Sequence, residues 1–259
     1  RCCLWTIKSK EREYTLMYSY KSDIGLLREK NEDMAIVMTN EHNDCFMMVF
    51  DGMGGHKHGE VASSLAEQYM IKAFKQKTKF TNKIDMYLWL KGIIRKMNKY
   101  LNEYANMSDI NRGMGTTFAC FLIHKDITLM CYIGDTRCYL IKNGNIEQKS
   151  VDETYVHFLY ETGRISYEEM EHHPSKNIIT NALGCYPTVI INLKFIKNDY
   201  DGLLLCSDGL YNMVNNQTIS QIISNNDDLN KCTDYLIDEA NKNGGKDNIA
   251  VAIMMKEAI

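Results

Sequence analysis

Acidic side chains recur where apolar, strand-like runs of this sequence meet loops. Asp51 ends the apolar run 45–50 and is followed by three glycines within four residues. A lone Asp-Gly pair is commonly only a turn, because glycine adopts positive φ at little cost. Here the pattern returns in LLLCSDG and in GGKDNIAVAIM, and this repetition favours a functional role. The acids at such strand ends are Glu32, Asp33, Asp51, Asp135, Asp208 and Asp247.

These acids predict a site for hard divalent cations. If antiparallel strands bring their ends together, the carboxylates meet in one cleft, where without cations they would repel one another and take up protons. An oxygen-only ligand set without a convergent histidine favours Mg²⁺ or Mn²⁺ over Zn²⁺. Arg28, five residues before Asp33, is the basic group of the cluster, and its guanidinium suits a phosphate. His56 and His58 are interpreted as solvated or helix-capping groups rather than ligands.

The composition fits one domain with an ordinary core. The chain has 259 residues, of which 45% are hydrophobic and 24% charged. Its net charge of −3 is spread along the chain, which argues against a nucleic-acid partner or an anionic membrane surface. The longest apolar run, residues 249–255, is far shorter than the roughly 20 residues that span a bilayer. The nine cysteines include no Cys-x-x-Cys pair, which favours reduced thiols and the cytoplasm.

Apolar residues alternate in some segments and recur at helical spacing in others, which predicts a chain with both β-strands and α-helices. Two long amphipathic helices are predicted at 62–73 and 87–104, with their apolar stripes in the core. Strands are predicted at 14–20, 34–38, 45–50, 189–196, 203–206 and 249–254.

The middle of the chain has the texture of consecutive strands. Three follow one another from Gly113, and Asn143-Gly144 is a strong hairpin turn after the third, so an antiparallel meander is predicted. Residues 150–185 are polar and are predicted to form an insertion over one end of the sheet, where they could gate substrate. Capping boxes that open short helices are predicted at Ser166 with Glu169 and at Thr218 with Gln221.

Seven motifs occur in an order that resembles the metal-dependent protein phosphatases, the PPM family of type 2C Ser/Thr phosphatases, in their bacterial form. The resemblance covers residues 18–255 and implies an α+β fold, a four-layer α-β-β-α sandwich with two central antiparallel β-sheets flanked by helices. It also implies a single phosphatase domain over 1–259, with a peripheral N-terminal segment at 1–13. The motifs are GLLREKNED, VFDGMGGHKHGEVAS, GMGTT, YIGDTRCYLI, HHPSKNIITNALG, LLLCSDGLYNMV and GGKDNIAVAIM.

The resemblance implies a ligand for each metal position. Asp51 would bridge two Mn²⁺ or Mg²⁺ ions, Asp208 and Asp247 would complete one of them, and the Gly52 carbonyl would help to hold the other. Asp135 matches the acid that supports a weaker third ion in bacterial members. The implied mechanism is direct attack of a metal-held water on phosphorus, without a phosphoenzyme.

The remaining positions concern water, substrate and the leaving group. Glu32 and Asp33 would orient metal-held waters, and Arg28 matches the phosphate-binding arginine. Met53 stands where animal members carry a histidine proposed as general acid, so the general acid is left unassigned. The triplet 152–154, Asp-Glu-Thr, departs from the family's Asp-His-Ser/Thr. The implied partners are phosphorylated proteins, including targets of a Ser/Thr kinase, and the chain is expected to be a monomer.

Two alternatives remain open. Cys131 and Arg137 have the Cys-x5-Arg spacing of cysteine-dependent phosphatases, but that loop would hold Asp135 against a phosphate dianion, and a thiol inside an apolar strand is a poor nucleophile. The other alternative is a phosphoprotein-binding regulatory module on the same fold. Such modules usually lose ligand acids, whereas all of them are present here. Metal-dependent hydrolysis of a phosphoprotein by the purified chain separates the three hypotheses.

Overall fold

The structure is a computed structural model that describes residues 5–8, 13–54 and 58–258. Its strands and helices are numbered here in chain order. The strands are β1 (Trp5–Lys8), β2 (Glu13–Asp23), β3 (Asp33–Thr39), β4 (Asp44–Met53), β5 (Gly115–Thr116), β6 (Phe118–His124), β7 (Ile127–Ile133), β8 (Arg137–Lys142), β9 (Asn145–Gln148), β10 (Asn192–Ile196), β11 (Gly202–Cys206) and β12 (Ile249–Ala258). The helices are α1 (Gly59–Gln76), α2 (Lys83–Ala105), α3 (Tyr155–Glu161), α4 (Tyr167–His172), α5 (Asp208–Tyr211), α6 (Asn216–Ser224) and α7 (Leu229–Lys242).

The strands form two antiparallel sheets. Sheet A has the order β1-β2-β12-β11-β8-β9, and sheet B has the order β10-β7-β6-β4-β3, with β5 paired to β4 beyond it. In both sheets the hydrogen-bonded neighbours run antiparallel. Because side chains alternate between the faces of a strand, each sheet can supply two apolar faces and be covered on both.

Strand β4 shows how the sequence specifies four layers. Cys45, Met47 and Val49 lie in the apolar core between the two sheets. The alternate residues, including Phe46 and Phe50, lie in a second core against α1 and α2. A third core joins the outer face of sheet A to α6 and α7. The predicted α-β-β-α sandwich is therefore confirmed.

The predicted meander is wrong at its last step. Strands β6 and β7 pair as expected, but β8 leaves sheet B and pairs with β9 and β11 in sheet A. The turn at Gly134, where φ is +91°, carries the chain from one sheet to the other instead of folding it back. The hairpin at Asn143-Gly144 is present between β8 and β9, with φ of +50° and +75°.

One helix start is also displaced from its prediction. The capping box of Ser166 and Glu169 opens α4 as predicted. Helix α6 begins earlier than Thr218, because the Asn215 side chain accepts a hydrogen bond from the Thr218 backbone N–H and acts as N-cap. The sequence signal was therefore misassigned by one turn, since asparagine is as good a cap as threonine.

The N-terminal segment contributes an edge strand. Strand β1, at 5–8, pairs with β2, while residues 1–4 and 9–12 lie outside the described ranges. No helix in the described part of the chain is long and apolar enough to cross a membrane. The cysteines that the structure describes are all free thiols: Cys45, Cys120, Cys131, Cys138, Cys185, Cys206 and Cys232.

Candidate metal centre

Both sheets deliver acidic residues to the same edge of the sandwich. Asp33 opens β3 and lies directly opposite Asp51 on β4. From sheet A, Asp208 follows β11 as the first residue of α5, and Asp247 lies two residues before β12. Asp135 occupies the crossing from β7 to β8. Acids separated by up to 214 positions thus meet because strand ends of both sheets meet.

The backbone around Asp51 is fixed by its neighbours. The Asp51 N–H donates to Thr117 Oγ1 at 3.1 Å, and the Thr117 N–H donates to the Asp51 carbonyl at 2.9 Å. The Gly52 N–H donates to the Glu32 carbonyl at 3.0 Å. A Cβ at Gly52 would lie 2.2 Å from the Gly59 carbonyl oxygen, so only glycine fits this close approach.

The carboxylates of the centre are held in an unfavourable electrostatic environment. Burial raises the pKa of Asp33 to about 7, and the negative charge of Asp247 adds to the shift. Burial likewise raises the pKa of Asp135 to about 6. Burial together with the neighbouring carboxylates raises the pKa values of Asp51 and Asp208. Each acid therefore favours protonation unless a positive charge lies among them.

The donor set fits a divalent cation. Among the described residues, Asp33 Oδ2 and Asp135 Oδ1 are buried and have no hydrogen-bond partner. Buried carboxylate oxygens are costly to leave unpaired, and hard cations bind such oxygens. Within the ranges 5–8, 13–54 and 58–258, no three Asp, Glu, His or Cys side chains already form a closed cage around one point. The acids converge, but their side chains have not gathered on a single ion position.

Arg28 lies at the rim of these acids. Its Nη2 is 2.7 Å from Asp247 Oδ2, and its side chain is 49% exposed. The predicted phosphate-binding residue is thus beside the predicted ligands and open to solvent.

Asn248 holds the loop that carries Arg28, and the sequence analysis gave it no role. Its Nδ2 donates to the Ile24 and Lys30 carbonyls, both at 2.8 Å, and its Oδ1 accepts from the Glu32 N–H at 2.9 Å. The side chain is buried and forms hydrogen bonds to both ends of the loop 24–32. The signal in the sequence was its place directly after Asp247, in the motif GGKDNIAVAIM, where attention went to the acid.

Tyr211 is a second residue that the sequence analysis missed. Its hydroxyl is 3.3 Å from Asp135 Oδ2, and its ring packs 3.5 Å beneath the Arg137 guanidinium. Arg137 in turn makes a bidentate ion pair with Asp152, with N–O distances of 2.7 to 3.1 Å. This chain of contacts links an acid of the centre to the start of the insertion.

Residues 150–185 lie beside the centre. Glu153 anchors this insertion by accepting hydrogen bonds from the Gly134 N–H at 2.8 Å and from Asn181 Nδ2 at 2.7 Å. A groove of about 480 Å³ runs between the insertion and the acids. Residues of both lie along it, including Asp135, Asp208, Tyr211, Tyr167 and Lys176.

The cysteine-based alternative does not fit this geometry. Cys131 is fully buried in the core between sheet B and the helices. Arg137 is occupied by Asp152 and packs on Tyr211. The thiol and the guanidinium therefore do not face one phosphate site.

The two histidines of the glycine-rich turn contribute no described contact to the acids. His58 stands at the N-cap position of α1 but makes no capping hydrogen bond through its side chain. His56 lies outside the described residues. Met53 ends β4 opposite Gly115 and offers no proton donor, so the structure assigns no general acid.

Comparison with known proteins identifies the class. The family profile described as protein phosphatase 2C matches residues 28–251. The serine/threonine phosphatase stp of Listeria monocytogenes is 36% identical, over 92% of this chain and 95% of its own length. Protein phosphatase PhpP of Streptococcus pneumoniae is 32% identical, over 91% and 96%.

Solved structures agree with the sequence relatives. The serine/threonine phosphatase Stp1 of Staphylococcus aureus has a TM-score of 0.87 at 32% identity, with 98% of both chains covered. The catalytic domain of the serine/threonine protein phosphatase PstP, solved with two manganese ions, has a TM-score of 0.79 at 30% identity, with 93% of this chain and 98% of that chain covered.

A profile match over most of the chain, relatives above 30% identity and a shared fold all point to one class, and the chain belongs to the protein phosphatase 2C family. It is a metal-dependent serine/threonine protein phosphatase, and its substrates are phosphoproteins. The non-catalytic alternative is not supported, because the relatives are named phosphatases and every acid of the centre is present.

Proposed function

We propose that the chain hydrolyses phosphoserine and phosphothreonine in proteins with two Mn²⁺ or Mg²⁺ ions, assisted by a weaker third. Asp51, Asp208, Asp247 and the Gly52 carbonyl would hold the two ions, and Asp135 would hold the third. The observation that carries this proposal is the convergence of strand-end acids from both sheets, with buried carboxylate oxygens left unpaired. When bound, such ions neutralise the acids, activate water and absorb charge that develops on the phosphoryl oxygens.

The other polar residues bind substrate and water. Arg28 offers parallel N–H donors at the open rim of the centre, the arrangement that binds phosphate oxygens. Because Arg28 also contacts Asp247, its guanidinium is held in place before substrate arrives. Glu32 and Asp33 lie at the same edge and would accept hydrogen bonds from water.

The direct test is phosphatase activity of the purified chain with and without chelator. We expect hydrolysis of a phosphothreonine peptide and of p-nitrophenyl phosphate to require Mn²⁺ or Mg²⁺ and to disappear with EDTA. Asp51→Asn, Asp208→Asn and Asp247→Asn should each lose activity by several orders of magnitude while remaining folded. Asp199→Asn is the matched control, because this exposed acid pairs with Lys142 at the surface and should keep full activity. Near-normal kcat in two of the three ligand variants would contradict the assignment.

The cellular setting is part of the same proposal. The free thiols of the described cysteines support a reducing compartment, so we place the protein in the cytoplasm. Its substrates would include targets of a Ser/Thr kinase, and it would act as a monomer. Sedimentation equilibrium tests the monomer, and fractionation of cells tests the location.

A further inference from the structure

A short loop beside Arg28 exposes apolar side chains to solvent. Leu26 is 64% exposed and Leu27 is 69% exposed, and Ile24 before them is 38% exposed. These residues lie between β2 and β3, immediately before the arginine at the rim of the acids. Single exposed apolar residues are ordinary on protein surfaces, but adjacent leucines at the mouth of a catalytic centre form a local apolar surface.

The loop presents these leucines in a fixed position. Gly25 has φ of +76°, and a Cβ there would lie 2.2 Å from the Asp247 carbonyl oxygen, so the loop packs directly on the backbone of the centre. The Leu26 N–H donates to the Gly245 carbonyl at 2.8 Å. Asn248 holds the Ile24 carbonyl, also at 2.8 Å. The exposed leucines therefore stand on a loop whose backbone is held in place by hydrogen bonds.

The leucines are the neighbours of Arg28 on its N-terminal side. Leu27 and Leu26 are the first and second residues before the arginine, and both belong to the turn that packs against the centre. A phosphorylated residue whose phosphate contacts Arg28 would bring its own flanking residues beside this turn. Those flanking side chains are the part of a substrate that can reach the Leu26–Leu27 pair.

We propose, on the basis of the function proposed above, that the Leu26–Leu27 pair is a docking surface for the substrate. Its partner is a phosphoprotein segment with a large apolar side chain one or two positions from the phosphorylated serine or threonine. Contact would remove apolar surface of both partners from water, and this favours binding without a directional requirement. Since the contact is apolar, the preference it creates should depend little on salt.

The test compares peptides that differ only in one flanking residue. The parent phosphothreonine peptide carries Gln at the two positions on either side, and four derivatives carry a single Leu at one of those positions. Wild type should hydrolyse at least one Leu peptide with kcat/KM roughly tenfold above the parent, mainly through KM. In Leu26→Gln/Leu27→Gln this preference should fall to within about twofold of unity.

A matched control tests whether any loss of exposed apolar surface has the same effect. Ile84 and Leu88 on α2 are 69% and 62% exposed. Trp89, next to Leu88, packs on Phe46 near the start of β4, whereas Asp51 lies near the end of that strand. The variant Ile84→Gln/Leu88→Gln should retain the Leu preference of wild type. Each preference should also be the same at about 50 mM and 500 mM salt.

The outcomes separate this inference from the function beneath it. If wild type shows no metal-dependent hydrolysis of p-nitrophenyl phosphate, the proposed function fails. If wild type hydrolyses that substrate but treats all five peptides alike, the docking proposal alone is wrong. It is also wrong if the Gln pair keeps the Leu preference, or if sedimentation shows that wild type dimerises through this loop and the Gln pair does not.

Discussion

Tyr211 is the residue through which the insertion reaches the acids. Its hydroxyl contacts Asp135, its ring carries Arg137, and Arg137 binds Asp152 at the start of the insertion. Asp135 is almost fully buried and one of its oxygens has no partner among the described atoms. The tyrosine hydroxyl therefore limits the positions that the carboxylate can take.

We predict that Tyr211→Phe weakens activation by metal without unfolding the protein. The ring and its contact with Arg137 remain, while the hydrogen bond to a charged acid is lost, which is worth roughly tenfold in affinity. The Mn²⁺ concentration for half-maximal activity should rise about three- to tenfold. Tyr139→Phe is the control, because Tyr139 also contacts Arg137, through a hydroxyl that accepts a hydrogen bond at 3.2 Å, and has no described contact with Asp135. Identical Mn²⁺ activation curves for the two variants would remove this role.

At the scale of elements, the loop between β2 and β3 is held by hydrogen bonds to Asn248, the residue directly before β12. Asn248 satisfies two carbonyls and one N–H of that loop and is 3% exposed. These bonds cross sequence separations of 224, 218 and 216 positions. One side chain therefore closes the loop that carries both Arg28 and Glu32 onto the opposite end of the chain.

We predict that Asn248→Ala loosens this loop and lowers activity. The change leaves buried backbone groups without partners, which costs about 2–4 kcal/mol of unfolding free energy. Urea denaturation should show this loss, and amide exchange should accelerate at 24–32. Asn106→Ala is the control, because that exposed side chain at the end of α2 donates to Asn102, four residues earlier. Unchanged exchange at 24–32 would show that other contacts hold the loop.

Local signals account for the parts of this fold that the sequence predicted. A continuous apolar run marked β4, helical spacing marked α1 and α2, and the acids were found because each lies where an apolar strand meets a loop. The crossing at Gly134 was missed, since a glycine with positive φ serves a hairpin and a change of sheet equally well. Asn248 and Tyr211 were missed because the partners described above lie 74 or more positions away, and such contacts leave no local pattern.

For the whole molecule, the acids of the centre oppose folding when no cation is present. The pKa of Asp33 is raised to about 7 and that of Asp135 to about 6, against 3.8 for an unperturbed aspartate. Between pH 3.8 and about pH 7 the folded chain binds more protons than the unfolded chain, so the free energy of unfolding falls as pH rises. The stabilising contribution is complete below pH 3.8 and is lost as pH passes through 6 and 7.

We therefore predict that the metal-free protein melts at a lower temperature at pH 7.5 than at pH 5.5, by roughly 5 °C or more. Saturating Mn²⁺ should reverse the order, because the ions replace the protons and bind less tightly in acid. Asp33→Asn should reduce the dependence of Tm on pH in the metal-free protein, since its amide does not titrate. Differential scanning calorimetry measures Tm for the metal-free protein, the Mn²⁺-bound protein and this variant, and a metal-free Tm that rises from pH 5.5 to pH 7.5 would contradict the assignment.

Because the acids are divided between the two sheets, the apolar core between the sheets also affects the geometry of the metal centre. Asp33 and Asp51 belong to sheet B, while Asp208 and Asp247 are attached to strands of sheet A. Facing sheets pack about 10 Å apart, and that gap is set by the side chains between them, such as Val49 and Leu205. The apolar core therefore sets the distance between the acids of the two sheets. A methyl group added to or removed from this core would change that distance and, with it, the activity of the metal centre.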